Sequence, residues 1–283
     1  FYYFKPKFEF DFKSLFSKIS KKEMYRFSLF AFAGSLGSVF AFRIDSLMIP
    51  KFISMEANGA FSIGVTLASA LAVPATGIFI LYAPIISNFI KNNQISELDL
   101  KYKEISKLLF FIGALLYSCI FLGIDNLFML LPTHESLTGS IPVILILGFN
   151  VLINMATGFN GEIITYSKYY KFNLIAIGLL IILNVSLNLL FIKVLNYGIE
   201  GVAVASLISM IVFNLSKLLF IYKKFKILPF DISYLKLILV FATVLLISYY
   251  LPILDNHLLN LIYKTIFCLS LNLMVIYKLK LVF

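Results

Sequence analysis

Eight apolar runs, each long enough to cross a bilayer, occupy most of this 283-residue chain. They fall at about residues 27–49, 61–90, 108–131, 141–160, 172–192, 199–222, 237–251 and 258–279. A spanning helix needs about 20 such residues. Only 13% of the sequence is charged and 61% is hydrophobic, against about 25% and roughly 45–50% in a soluble domain. An ordinary globular enzyme is excluded. The runs are continuous, not alternating, and are twice the length of a barrel strand, which disfavours a closed barrel. Lipid obliges each segment to satisfy its own backbone donors and acceptors. The expected fold is therefore all-α, a polytopic membrane helix bundle of about eight transmembrane helices.

The net charge is +10, but the basic residues lie in short clusters between the apolar runs. That pattern reports topology and predicts no nucleic-acid partner. On one side lie Lys91, Lys101, Lys168, Lys171, Lys224, Lys278 and their neighbours; the other side offers only Lys51 and Lys193. The asymmetry predicts that both termini are cytoplasmic. Ahead of the first run, Phe12, Leu15, Phe16 and Ile19 recur at helical spacing among Lys13, Lys18, Lys21 and Lys22. This reads as an amphipathic helix on the inner leaflet, or equally as a charged linker touching the membrane.

Soluble-enzyme chemistry is absent from the pattern. His134 and His257 stand beside Glu135 and Asp255 in short outer loops, without metal-ligand spacing. No phosphate-cradling Gly-Lys-Ser/Thr loop and no G-x-S-x-G elbow occurs. The longest polar connection, 91–107, is too short to carry a catalytic apparatus. No enzyme activity, metal or cofactor is expected. Cys119 and Cys268 sit within apolar runs and read as small buried hydrophobes.

Polar residues inside the runs are the default functional candidates. Arg43 and Asp45 in the first run cost about 2.5–3.5 kcal/mol each at a helix centre. At i and i+2 they lie on opposite faces and cannot easily pair. Each needs a neighbouring helix, a cavity or a bound substrate, unless Arg43 snorkels past Pro50 to the outer surface. Asn150 with Asn154, and Asn184 with Asn188, form i, i+4 amide pairs that read first as interhelical glue. Asn160 and Glu162 lie near the inner end of the fourth run. Lys217, near the inner end of the sixth, is expected to snorkel. Pro74 and Pro84 imply a bent or broken second span. Gly34, Gly37 and Ser38, with Gly201, Ala203, Ala205 and Ser206, permit close helix packing.

The run from Arg43-Ile44-Asp45-Ser46 to Ile49, followed by Asn58-Gly59-Ala60-Phe61, is similar to the helix opening the second lobe of polysaccharide flippases. These belong to the multidrug/oligosaccharidyl-lipid/polysaccharide (MOP) exporter superfamily. The stretch from Asn184 to Ile192, then Gly198-Ile199-Glu200-Gly201, resembles that family's paired helices joined by a tight turn. Asn160-Gly161-Glu162 through Tyr170 resembles its lipopolysaccharide-biosynthesis branch. Two positions depart: Lys193 stands where the family commonly has proline, and Gly201-Val202-Ala203 where it has Gly-Ala-Ala.

The resemblance implies three parts. They are a cytoplasmic amphipathic connector (1–26), the six-helix second lobe of a two-lobed transporter (27–223), and two additional C-terminal helices (224–283). It further implies that the chain is the C-terminal part of a longer protein whose first lobe is missing. The implied activity is alternating-access flipping of a lipid-linked oligosaccharide, undecaprenyl diphosphate-linked and of O-antigen or capsule type, across the bacterial inner membrane. On that reading Arg43 contacts the diphosphate or an acidic sugar. Asp45 is its partner or a coupling-cation site, and Asn154, Asn160 and Glu162 line the substrate cavity. The implied partners are the lipid-linked oligosaccharide, membrane lipids and the N-terminal lobe. The rivals are a cation-coupled multidrug exporter of the same superfamily and, less favoured, a membrane glycan polymerase or ligase.

Overall fold

The computed structural model describes residues 21–282. It is 84% helical, with no strand among the described residues, which excludes a barrel. The connector expected at the N-terminus lies almost entirely outside the described residues.

Among the described residues eleven α-helices follow in order. They are α1 (Lys21–Phe52), α2 (Met55–Ala70), α3 (Val73–Lys91), α4 (Ile95–Met129), α5 (His134–Thr138), α6 (Ile141–Ala156), α7 (Asn160–Tyr166), α8 (Lys171–Leu189), α9 (Gly198–Phe225), α10 (Ile232–Tyr249) and α11 (His257–Leu279). A π-helical turn, Leu190–Val194, prolongs α8. All eight apolar runs fall on helices. Among the described residues six helices are individually long and apolar enough to cross a membrane, and a seventh span arises if α6 and α7 count as one bent pair. The protein is an all-α polytopic bundle.

Local chemistry sets the breaks. Ser54 accepts a hydrogen bond from the Ala57 N–H at 3.1 Å and starts α2. The second span is interrupted at Leu71–Ala72, just ahead of Pro74, which occupies the first turn of α3. Pro84, by contrast, lies within α3 without breaking it. The 91–107 stretch, expected as a loop, is mostly helix. After a tight turn in which Asn93 takes a positive φ of 54°, α4 begins at Ile95. Leu98, Tyr102, Ile105 and Leu109 then recur on one face and enter the main core with Phe159 and Ile163. Lysines and acids hide this stripe in the sequence, and two of their pairs, Lys101–Glu104 and Lys103–Asp99, are ion-paired along the exposed side.

Five helices close a ring, in which α1 packs on α8, α8 on α9, α9 on α6, α6 on α2, and α2 back on α1. Glycine allows the tight approaches. A Cβ on Gly64 would meet Val143 Cγ1 at 2.5 Å, and one on Gly37 would meet Ile177 Cγ2 at 3.0 Å. Outside the ring, α4 packs against α6 and carries the α10–α11 hairpin. That hairpin is held by Phe110, Tyr234, Leu237 and Phe241.

Candidate functional site

A cavity of about 380 Å³ lies within the ring, and all five ring helices contribute to its wall. Arg43 and Asp45 come from α1, Asn150 and Asn154 from α6, Asn184 from α8 and Ser206 from α9. Three of the five residues expected at a substrate site, Arg43, Asp45 and Asn154, therefore stand on one wall system.

Asp45 is buried. Its Oδ1 accepts from Asn188 Nδ2 at 2.7 Å and its Oδ2 from the Ser206 hydroxyl. Asn184 Nδ2 donates to Ser206 Oγ at 3.0 Å, and Asn188 Nδ2 also reaches Asn184 Oδ1 at 2.8 Å. Every donor in this group leads toward the carboxylate. The amides of α8 do act as glue, but what they hold is an acid. Among the described residues no cation pairs with Asp45, and the buried Asn188 Oδ1 has no hydrogen-bond partner. An ionised carboxylate held only by dipoles is costly to bury, so the cluster is suited to take up a proton or a cation.

Arg43 lines the same cavity as this cluster but makes no hydrogen bond to it. It is exposed on the cavity wall, and among the described residues it makes no ion pair or side-chain hydrogen bond. A guanidinium with five free donors beside a cavity is suited to a planar or multidentate anion. Asn150 also lines the cavity, and its Oδ1 is buried without a partner.

Asn160 and Glu162 do not line the cavity. They belong to a second polar cluster at the bend between α6 and α7, which measures 48°. Asn160 Nδ2 donates to Asn214 Oδ1 at 2.8 Å and to Thr157 Oγ1 at 2.9 Å. Asn214 Nδ2 in turn reaches Asn154 Oδ1 at 3.3 Å, joining this cluster to the cavity wall. Lys217 corrects an expectation. It does not snorkel but is buried, with Nζ 3.9 Å from the Phe213 ring centroid. Its Nζ lies beside Gly161, 3.5 Å from where a Cβ would stand. Glu162 interacts electrostatically with Lys217 without closing an ion pair. Lys264, expected near the outer boundary, is likewise buried and donates to the Tyr249 carbonyl at 3.2 Å, at the end of α10.

Ser206 and Asn214 were missed as partners in the sequence. Both lie on one face of α9 with Met210, Phe213 and Lys217, a polar thread within an apolar helix, and that spacing is the signal that could have found them. Among the described residues no group of three His, Cys, Asp or Glu side chains could hold a metal ion. No family model matches the chain, and no curated protein or solved structure matches it either.

Proposed function

We propose that this chain is one lobe of a membrane transporter, without enzymatic activity, that moves a lipid-linked oligosaccharide between leaflets of the bacterial inner membrane. The observation that carries the reading is Arg43, unpaired among the described residues on the wall of the cavity. A glycan head cannot cross hydrocarbon unaided, and a diphosphate linkage needs charge compensation, which a guanidinium supplies in bidentate form. The ring of α1, α2, α6, α8 and α9 forms one wall of the pathway, a second lobe supplies the other, and one rocks against the other. The lysine asymmetry orients both ends of the chain toward the cytoplasm.

The cation-coupled exporter is the second reading, and the Asp45 cluster favours it. A carboxylate ringed by Asn184, Asn188 and Ser206 offers oxygen ligands to a hard monovalent cation, or a site for a proton. The two readings meet if ion binding at Asp45 drives substrate release at Arg43. The test is Arg43→Ala in the full-length gene, with surface glycan measured at matched expression. Loss of surface glycan with unchanged drug sensitivity supports the flippase. Unimpaired glycan with raised drug sensitivity selects the exporter, and no change in either defeats both.

A further inference from the structure

Lysines gather at one end of the bundle where α7 turns into α8 and where α9 ends. Lys168 lies in that turn, Lys171 opens α8, Lys223 and Lys224 close α9, and Lys226 caps it in the left-handed conformation. All five are exposed. Among the described residues none of them has an ion-pair partner; the nearest acid in sequence after α9, Asp231, is taken by Lys107 at 2.9 Å. Two of the five converge. Lys168 Nζ stands 5.3 Å from the Tyr169 ring centroid and Lys224 Nζ 5.2 Å from the same centroid, from different elements. The ring that receives them also packs against Phe220 at 5.6 Å and Phe225 at 6.0 Å, both edge-on. Phe172 stacks on Phe220 at 3.8 Å and completes the support. At the opposite end Lys51 and Lys193 also share one ring, that of Phe52, but Lys264, toward that end, is buried and bonded to the Tyr249 carbonyl.

Ammonium groups gathered at one end of a bundle repel unless something negative sits among them. An aromatic ring in contact with two ammonium groups, at the end of apolar spanning helices, lies at the depth where lipid headgroups are found. We infer that Tyr169, Lys168 and Lys224, flanked by Lys171, Lys223 and Lys226, form a binding site for the phosphodiester of an anionic phospholipid. The acyl chains of that lipid run along the apolar surface of α8 and α9. The lysines bond to the phosphate oxygens, and the Tyr169 ring packs against the glycerol. Such a site ties α7, α8 and α9 together at their shared end. It rests on the membrane reading of the bundle and is independent of what the central cavity carries.

The test uses the purified full chain in neutral micelles doped with phosphatidylglycerol or phosphatidylcholine, with bound lipid counted by native mass spectrometry. Phosphatidylglycerol should be retained over phosphatidylcholine. Each lysine near an anionic lipid is worth about fivefold in affinity, so Lys168→Gln with Lys224→Gln should weaken retention roughly 25-fold. Both side chains are exposed, so the variant should keep its helical circular dichroism. A Lys278→Gln, Lys280→Gln variant loses the same charge elsewhere and should retain lipid as the parent does. Equal losses in the two variants would reduce the effect to diffuse attraction and overturn the site. Equal retention of the two lipids by the parent, or displacement of phosphatidylglycerol by soluble glycerol phosphate, would overturn it as well.

Discussion

Asp45 on α1 owes its place to two donors, Asn188 on α8 and Ser206 on α9, which lie 143 and 161 positions away in the sequence. Its removal should therefore be felt on three helices at once. Asp45→Ala leaves Ser206 and Asn188 without their acceptor, and a buried donor left unsatisfied costs about 1–3 kcal/mol. Asp45→Asn keeps an acceptor oxygen and should cost visibly less. Unfolding of the purified variants in denaturing detergent measures both, and equal losses would mean that the carboxylate is not the centre of the cluster. Arg43 should behave in the opposite way. With no partner among the described residues to lose, its replacement should leave stability unchanged and act only on what enters the cavity.

The bend between α6 and α7 shows how one residue shapes an element. Gly158 has a φ of +59°, and a Cβ there would collide with Ser106 Oγ. The break frees two successive carbonyls, and two tyrosines from other helices take them. Tyr102 of α4 donates to the Thr157 carbonyl at 3.0 Å, and Tyr234 of α10 donates to the Ala156 carbonyl at 2.9 Å. Gly158→Ala should cost more than about 1 kcal/mol, because strain and collision add. Tyr102→Phe should cost about 1 kcal/mol for one lost bond. Detergent unfolding ranks the two, and a neutral Gly158→Ala would contradict the bend.

The same scale holds a pH effect at the start of α10. Asp231 caps the helix through the Tyr234 N–H at 2.7 Å and pairs with Lys107. Burial opposes its charge, but the Lys107 ammonium and the Tyr234 N–H outweigh that and hold its carboxyl below the ordinary value of 3.8. A carboxylate held low stabilises the fold above its unfolded pKa, and that contribution fades as pH falls through the folded value. Stability measured on acidification from neutral pH to below about 4 should drop less steeply in Asp231→Asn than in the parent.

At the level of the whole molecule the ring of five helices is the claim to test. Gly37 and Ile177 close it between α1 and α8, where a Cβ would meet Ile177 Cγ2 at 3.0 Å. Paired cysteines bridge when their Cβ atoms lie about 3.5–4.5 Å apart. Gly37→Cys with Ile177→Cys, in a chain with Cys119 and Cys268 changed to Ala, should cross-link under mild oxidant. Failure to do so with the helices intact would open the ring.

The all-α class and the apolar character of the helices were readable along the chain, because lipid demands of each segment separately that it be apolar and satisfy its own backbone. Arg43 and Asp45 stood out for the same reason, as charges in an apolar run. Other features depend on which segments become neighbours. That Asp45 would be met by amides from α8 and a hydroxyl from α9, that Lys217 would turn inward beside Gly161, and that Asn160 and Glu162 would gather at a bend away from the cavity are consequences of packing. Hydrogen bonds and close approaches between helices join residues far apart in sequence, and their partners exist only once the bundle has closed.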